Sequence, residues 1–457
     1  MKKVYLIVLA LFMAIITSFF VSCTEESSMM NSNESLKLTN DEVSFFSKIA
    51  NEGKILSPEQ AVNRALSSPF DQSRTRTNNN VTRIDAISKS AYGQYGDSIL
   101  KMLPDTLVYI ISTDDGYCTI ISADSRVHST VLGRVPQNQL YDIADETSWT
   151  IRDMLYSMFV NAAVSEICDY ESKRDSMKTT IINKLNLPIM VGTRALDNPY
   201  YDPAEYDFFT VYGSSYTYQL ALCNPMTPWG WNQHSPYNQF VRYNKPCGIC
   251  PTGCTPIAVG LIMAYWGYPS IVGNHYINWN QVRNSFAYSD TTSIGAIDIA
   301  YMMKQIGEDI DVDYNCDRSH SELEDGVDWL LDHGYQGGNQ TDFSYNVVKT
   351  SLINGRPVLI RGEKEDETGH SWVIDGYKET REDVEVTIYA IHKRTHQYYL
   401  VYQGYEHHYF YYLCNNFGND NAGSWISTRN YHYFHFDQGY GEYQYDIEIY
   451  PEIRPGS

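Results

Sequence analysis

Positive charge is scarce in this chain. Its 457 residues carry 34 Lys and Arg against 55 Asp and Glu, a formal net charge of -21. Polyphosphate binding needs clustered Lys and Arg to release counterions, so this balance argues against nucleic acid as a partner. The acidity serves solubility and is silent about fold. No internal repeat of the solenoid type is visible either, so the chain is not read as a repeat array. What is present is a hydrophobic content of 43%, enough for ordinary globular cores, in a chain too long for one ordinary domain. Two folded units are the starting expectation.

The first residues form a targeting signal. Lys2 and Lys3 make a basic start, Tyr5 to Val21 is almost wholly apolar, and Phe20-Val21-Ser22-Cys23 closes the run. This resembles a bacterial lipoprotein signal, which implies removal of residues 1–22 and a lipid on Cys23, although Phe20 and Ser22 depart from the commonest Leu and Gly or Ala. The alternative is an uncleaved anchor, since the run nearly reaches the roughly 17 residues a spanning helix needs. Both readings export the body of the protein. Glu25 and Glu26 resemble the acidic sorting signal of surface lipoproteins in Bacteroidetes-like bacteria, which implies the outer membrane or cell surface of a Gram-negative cell. Residues 23–40, rich in Ser, Asn and Glu up to about Leu38, read as a flexible tether.

Without Cys23, eight of nine cysteines remain: Cys118, Cys168, Cys223, Cys247, Cys250, Cys254, Cys316 and Cys414. An even number in an exported protein invites disulfides. Their irregular spacing matches no framework, and Cys118, Cys168 and Cys414, set in apolar runs, read equally well as free buried thiols.

Residues 41–187 read as a small α+β domain without a catalytic cluster. Ser57-Pro58-Glu59-Gln60 is a helix start with a capping box. Leu107 to Thr113 and Tyr117 to Ala123 are strands joined by Asp114-Asp115-Gly116, a hairpin signal. Ile151, Met154, Leu155, Met158, Phe159, Ala162 and Ala163 repeat at three- and four-residue steps, one stripe of a long helix. Residues 188–205, rich in Pro, Gly, Asn and Asp with Arg194 among small residues, form a junction suited to processing.

Residues 206–457 hold the chemistry. Cys247-Gly248-Ile249-Cys250-Pro251-Thr252-Gly253-Cys254-Thr255-Pro256 leads into an apolar run to Trp266, then Gly267-Tyr268-Pro269. That is a loop, a buried helix and a stop, with Cys254 at the helix N-terminus, where the macrodipole and unpaired N–H groups favour a thiolate. Gly369-His370-Ser371-Trp372-Val373-Ile374-Asp375-Gly376-Tyr377 reads as a buried strand ended by Asp-Gly, with His370 at its entrance and Gly355-Arg356-Pro357 opening a neighbouring strand. A histidine at a sheet rim facing a helix tip can take the thiol proton and return one to a leaving amine.

Together these segments resemble the streptopain family of papain-like cysteine peptidases. The resemblance rests on four stretches: Trp231-Asn232-Gln233-His234-Ser235-Pro236-Tyr237-Asn238, the Cys254 helix, the His370 strand, and Asn416-Phe417-Gly418-Asn419-Asp420-Asn421. In the last, only Asn and Gly match the family's Asn-Trp-Gly-Trp-Gly-Gly. It implies an α+β papain-like fold, a helical part plus a twisted antiparallel sheet, preceded by an inhibitory α+β pro-domain. It also implies Cys254 as nucleophile, His370 as acid/base, Gln233 as oxyanion donor and Asn416 as the group that orients His370. The implied activity is endopeptidase cleavage of proteins or peptides, in a precursor whose own pro-domain is its intramolecular inhibitor and whose membrane contact is the lipid anchor.

Other readings of the same residues are weaker. Cys247, Cys250 and Cys254 show a Cys-x-x-Cys spacing, but a fourth metal ligand is not nearby and the helix already accounts for Cys254. A disulfide from Cys247 or Cys250 to another cysteine fits better, with the partner left open. No metal or organic cofactor is implied, and a reducing environment would help keep Cys254 a thiol. His275, His320, His333, His396, His407 and His408 lack a motif. The Tyr-rich stretch from Tyr398 to Tyr412 suits a sugar-binding surface less well than strands, for which Val384–Ala390, Gln397–Tyr402 and Tyr409–Asn415 are the segments. Two functional alternatives stand: a catalytically silent surface relative that binds peptide or protein, and amide transfer or peptidoglycan cleavage by the same Cys–His pair.

Overall fold

The computed structural model describes residues 38–50, 55–70, 80–91, 96–128, 130–141, 146–185, 206–243, 245–363, 369–420, 422–428 and 445–456. The signal, Cys23, the tether up to residue 37 and the 188–205 junction lie outside the described residues.

Local rules shape the front segment. After α1 (Asn40–Ala50), α2 (Pro58–Leu66) starts at Ser57. The Ser57 Oγ accepts from the Gln60 N–H at 3.2 Å, and Gln60 Oε1 accepts from the Ser57 N–H at 2.9 Å, the reciprocal box expected from the sequence. β1 (Val81–Ser88), β2 (Thr106–Thr113), β3 (Tyr117–Ser122) and β4 (Val131–Pro136) form an antiparallel meander. The β2–β3 turn needs Gly116 at a φ of 83°, and Asp115 closes it by accepting from Thr113 Oγ1 at 2.7 Å. The 40-residue helix α3 (Glu146–Leu185) lays Leu155, Met158, Phe159, Ala163 and Ile167 onto this sheet.

The second half opens with β5 (Tyr206–Cys223) and then gathers helices α4 (Cys254–Trp266), α5 (Ile294–Asp309) and α6 (Leu323–Asp332) around a core that includes Val259, Leu261, Met303, Ile306 and Leu330. After α7 (Tyr345–Ile353) come β6 (Val358–Glu363), β7 (Gly369–His392), β8 (Tyr398–Asn416), β9 (Ser424–Thr428) and β10 (Tyr445–Tyr450). They pair antiparallel in the order β10-β6-β7-β8-β9, and β5 takes over the edge of β7 where β6 leaves it. Trp372 and Ile374 enter one core while Val373 enters the helical one. Burial on both faces explains the unbroken apolar run. The result is an α+β arrangement in which a helix tip meets a twisted antiparallel sheet.

Two expectations change. Asp375-Gly376 does not end the strand: β7 continues to His392, with the pairing register shifting between Ile374 and Gly376. Gly376 sits where a Cβ would lie 2.8 Å from the Cys223 carbonyl oxygen, so the glycine serves close strand approach rather than a turn. The three Tyr-rich segments are accordingly two long strands. Val384–Ala390 continues the histidine strand, and Tyr398 to Asn416 is one strand against it.

The front sheet and the rear sheet are also continuous. β4 pairs with β9 through Gly133 opposite Ile426 and Arg134 opposite Trp425. A Cβ on Gly133 would lie 2.6 Å from the Trp425 carbonyl oxygen and 2.7 Å from the Phe159 ring. Its absence lets the two meanders join, which also covers the β9 edge. One core holds Ile110, Val135, Leu140 and Phe159 from the front together with Trp372, Leu413, Phe417 and Ile426 from the rear.

Candidate active site

Cys254 begins α4 directly after Gly253, whose φ of 88° lies in a region that L side chains rarely adopt. With no side chain on Gly253 to cap the helix, the first-turn N–H groups stay available beside the thiol. The approach to the helix is fixed from both sides. Thr252 N–H donates to the Gln233 carbonyl at 3.0 Å, and Ser319 Oγ donates to the Pro251 carbonyl at 2.7 Å. Thr255 Oγ1 lies 3.4 Å from the Ser321 carbonyl and 3.3 Å from Ser371 Oγ. Every residue of α4 from Thr255 to Ala264 is buried, so the thiol sits on a rigid support.

His370 enters β7 opposite Gly362 of β6. Its Nε2 lies 3.1 Å from the Phe417 main-chain carbonyl. A carbonyl only accepts, so Nε2 carries the proton there and Nδ1 remains the basic nitrogen. Trp372 lies nearly parallel to the ring, 5.8 Å between centroids, and is itself held by donating to Asn415 Oδ1 at 3.0 Å. The His370 side chain is the leading group that lowers the Cys254 thiol. Burial disfavours the Cys254 thiolate, but the His370 hydrogen bond and charge, the Ser371 main chain and the Arg361 charge outweigh it and bring the thiol down to about 6. This is the electrostatic signature of an activated nucleophile.

Arg361 escaped the sequence reading. Buried on β6, it ion-pairs with Glu363 at 2.9 Å and Glu322 at 3.1 Å. Gly369 makes room for it, because a Cβ there would lie 2.5 Å from the guanidinium. A charged residue at the end of the apolar run Val358 to Ile360 was the available signal.

The structure places Gln233 buried in the loop that binds Thr252, two residues ahead of the nucleophile. Asn416 makes its hydrogen bonds one step back from His370. Its Nδ2 donates to the Thr227 carbonyl at 2.7 Å and the Trp229 carbonyl at 3.1 Å, and its Oδ1 accepts from the Gly418 N–H at 3.2 Å. The side chain thus ties the turn that aims the Phe417 carbonyl, and the carbonyl meets His370. Thr227 in turn donates to the fully buried Asp375, from its N–H at 2.8 Å and its Oγ1 at 2.7 Å. Other histidines have local partners, such as His275 with Asp298 at 2.7 Å and His407 with Asp383 at 2.6 Å.

Selective alkylation follows from these surroundings. Burial pushes up the thiols of Cys118, Cys168, Cys223, Cys250 and Cys414, whereas Cys254 goes down. Limited iodoacetamide treatment near pH 6.5 is expected to modify Cys254 ahead of these five in peptide mass maps, with a rate midpoint near pH 6. Uniform slow labelling, or a midpoint above pH 8, would remove the thiolate argument.

Residues 231–410 match the model of the Peptidase C10 family. They include Gln233, Cys254 and His370, while Asn416 lies beyond them. Among solved structures, the chain is similar to a fragment of Prevotella intermedia prointerpain A, at 16% identity and a TM-score of 0.44, covering 77% of this chain and 96% of that one. It is also similar to active wild-type interpain A cysteine protease from Prevotella intermedia, at 16% identity and a TM-score of 0.36, covering 56% of this chain and 97% of that one. No curated protein matches.

Proposed function

Because residues 231–410 fall in the Peptidase C10 family, the streptopain family of cysteine peptidases, we propose that the chain is the exported precursor of a cysteine endopeptidase that acts through Cys254 and His370. The observation that carries this is a His370 ring held at the Phe417 carbonyl, which is also the leading group that lowers the Cys254 thiol at the tip of α4. The His370 Nδ1 takes the Sγ proton, and the thiolate attacks the scissile carbonyl carbon. The resulting oxyanion is met by the N–H groups at the tip of α4 and the Gln233 amide. The imidazolium returns its proton to the leaving amine, which departs as the C–N bond breaks and a thioester forms on Cys254. Water, deprotonated by His370, attacks that thioester and releases the carboxylate product and the free thiol. Arg361 holds negative charge in place by its field alone.

Residues 41–187 act in this reading as an inhibitory pro-domain, 188–205 as the processing linker and 206–457 as the peptidase domain. Gln139, just past β4, supports the assignment. Its amide nitrogen donates to Asn419 Oδ1 at 3.3 Å and its carbonyl accepts from Ser424 Oγ, so a front-segment side chain grips the loop that carries the Phe417 carbonyl. The signal-like start supports anchoring in the cell envelope through a lipid on Cys23, and Glu25 and Glu26 support the outer surface.

The test uses residues 24–457, which omit Cys23, incubated with reductant beside the same chain carrying Cys254→Ala and followed by intact mass. Only the chain with Cys254 is expected to cut itself within residues 188–205. Because the two halves share a core, the front piece should stay bound after that first cut and co-elute on a sizing column. If both chains remain whole, and neither cleaves peptides after a trace of external protease opens the linker, peptidase activity gives way to the peptide-binding reading.

A further inference from the structure

Two cysteines ahead of the nucleophile, Cys247 and Cys250, and one beyond it, Cys316, take no part in the Cys254–His370 chemistry. Cys247 and Cys316 form a disulfide across 69 residues. The free Cys250 thiol lies 3.7 Å from Cys247 Sγ, and all three sulfurs fall within 4.8 Å of one another. Their exposure is graded: Cys247 is exposed, Cys316 is half-buried and Cys250 is fully buried. Cys250 is also pinned, its N–H donating to the Val241 carbonyl at 3.1 Å and its carbonyl accepting from Asn238 Nδ2 at 3.0 Å. A dissolved thiol therefore meets Cys247 first, and Cys250 reaches only its neighbours.

We propose that Cys247, Cys250 and Cys316 form a thiol–disulfide exchange site whose co-reactant is a small-molecule thiol. The thiolate of that molecule attacks Cys247 Sγ; the Cys247–Cys316 bond breaks, and its electron pair leaves on Cys316, which takes up a proton. Cys250, deprotonated, then attacks Cys247 Sγ in the mixed disulfide, the Cys247–Cys250 bond forms and the small thiolate departs unchanged. One disulfide replaces another, with no net oxidation and no thiol consumed. Burial raises the Cys250 thiol, so the second step quickens as pH rises from 7 to 9.

The exchange reaches the catalytic cysteine through the loops it joins. The long-range bond bolts the loop of residues 245–253 to that of residues 311–322, which supplies the Ser319 contact to Pro251, the Ser321 carbonyl beside Thr255, and Glu322 on Arg361. A local Cys247–Cys250 bond leaves those contacts held by hydrogen bonds and the ion pair alone. The site thereby links the thiol poise outside the protein to the rigidity of the turn that presents Cys254.

The full-length chain carrying Cys254→Ala, which removes self-cleavage and the competing nucleophile, is incubated with mixtures of reduced and oxidised glutathione at pH 8. Acid quenching, alkylation under denaturing conditions and peptide mass mapping then report the bonds. The expected result is a Cys247–Cys250 species accompanied by alkylated Cys316. Adding Cys250→Ala is expected to abolish that species and to accumulate glutathione on Cys247. The Cys250-containing chain decides the matter even if the alanine variant does not fold. A course that passes from Cys247–Cys316 directly to the fully reduced chain, with no Cys247–Cys250 bond at any ratio, overturns the proposal. So does one tightly held zinc ion per reduced chain without exchange, which would make the three thiolates a metal site.

Discussion

Replacing His370 with alanine is expected to lower kcat/KM on peptide substrates by about 1,000-fold or more, and replacing Cys254 with alanine to bring activity to background. The larger loss follows from chemistry, because the nucleophile itself is gone. The His370 loss combines two deficits. The base that takes the Sγ proton and the acid that supplies the leaving amine are the same ring, and each such role is worth about 100- to 10,000-fold. The second deficit is a static one. The His370 hydrogen bond and charge are the leading groups that outweigh burial at Cys254 and hold the thiol at about 6. Without them, burial raises the thiol, and each unit of rise costs roughly tenfold in thiolate at pH 7. Iodoacetamide rates against pH should therefore show the Cys254 midpoint near 6 in the native chain and well above it in His370→Ala. Retained activity within about tenfold, or an unmoved midpoint, would break the pairing of these residues.

Much of this site was legible because its parts are local. Gly253 before Cys254, an apolar stretch and Gly267 specify a buried helix with the thiol at its start, and the structure has those bounds. The hairpin at Gly116 and the capping box at Ser57 were legible for the same reason, since each is decided within four residues. Long-range facts were not. Asp375-Gly376 carries the letters of a turn, but Cys223 of β5 approaches Gly376 from across the sheet and turns the pair into an irregularity inside a long strand. The join between β4 and β9 depends on Gly133 meeting Trp425, nearly 300 residues away, and no periodicity encodes it. The partner of Cys247 was open for the same reason, since Cys316 lies 69 residues away and only the tertiary fold brings it close. Phe417 shows a different blindness. Its working group is a main-chain carbonyl, which every residue possesses, so side-chain identity carried no sign of it.

Asn416→Ala is the other change expected to act strongly, and it distinguishes support of the site from support of the fold. Asn416 is fully buried, and its amide satisfies the carbonyls of Thr227 and Trp229 and the N–H of Gly418. Alanine leaves the Thr227 carbonyl and the Gly418 N–H short of a partner, while the Trp229 carbonyl keeps the Trp231 N–H at 3.1 Å; each group that water does not reach costs about 1–3 kcal/mol, so Tm should fall. The turn also aims the Phe417 carbonyl at His370 Nε2. When it relaxes, the contact that favours the tautomer with a basic Nδ1 weakens, and kcat is expected to fall by about 100-fold with KM much less affected. The diagnostic is again the pH profile. A purely structural role lowers Tm and leaves the Cys254 alkylation midpoint near 6, whereas a positioning role moves that midpoint upward as the His370 contact loosens. Thr227→Val extends the argument one step outward. It removes the Oγ1 donor from Asp375 and a long 3.4 Å contact from Asn416 Nδ2 to that Oγ1, but keeps the shorter 2.7 Å bond from Asn416 to the Thr227 carbonyl. Its effect should therefore fall mainly on Tm, through a buried carboxyl that has lost a donor, and only weakly on the midpoint. Equal upward shifts in both variants would place the orienting group in the wider Asp375–Thr227 network rather than in the Asn416 turn.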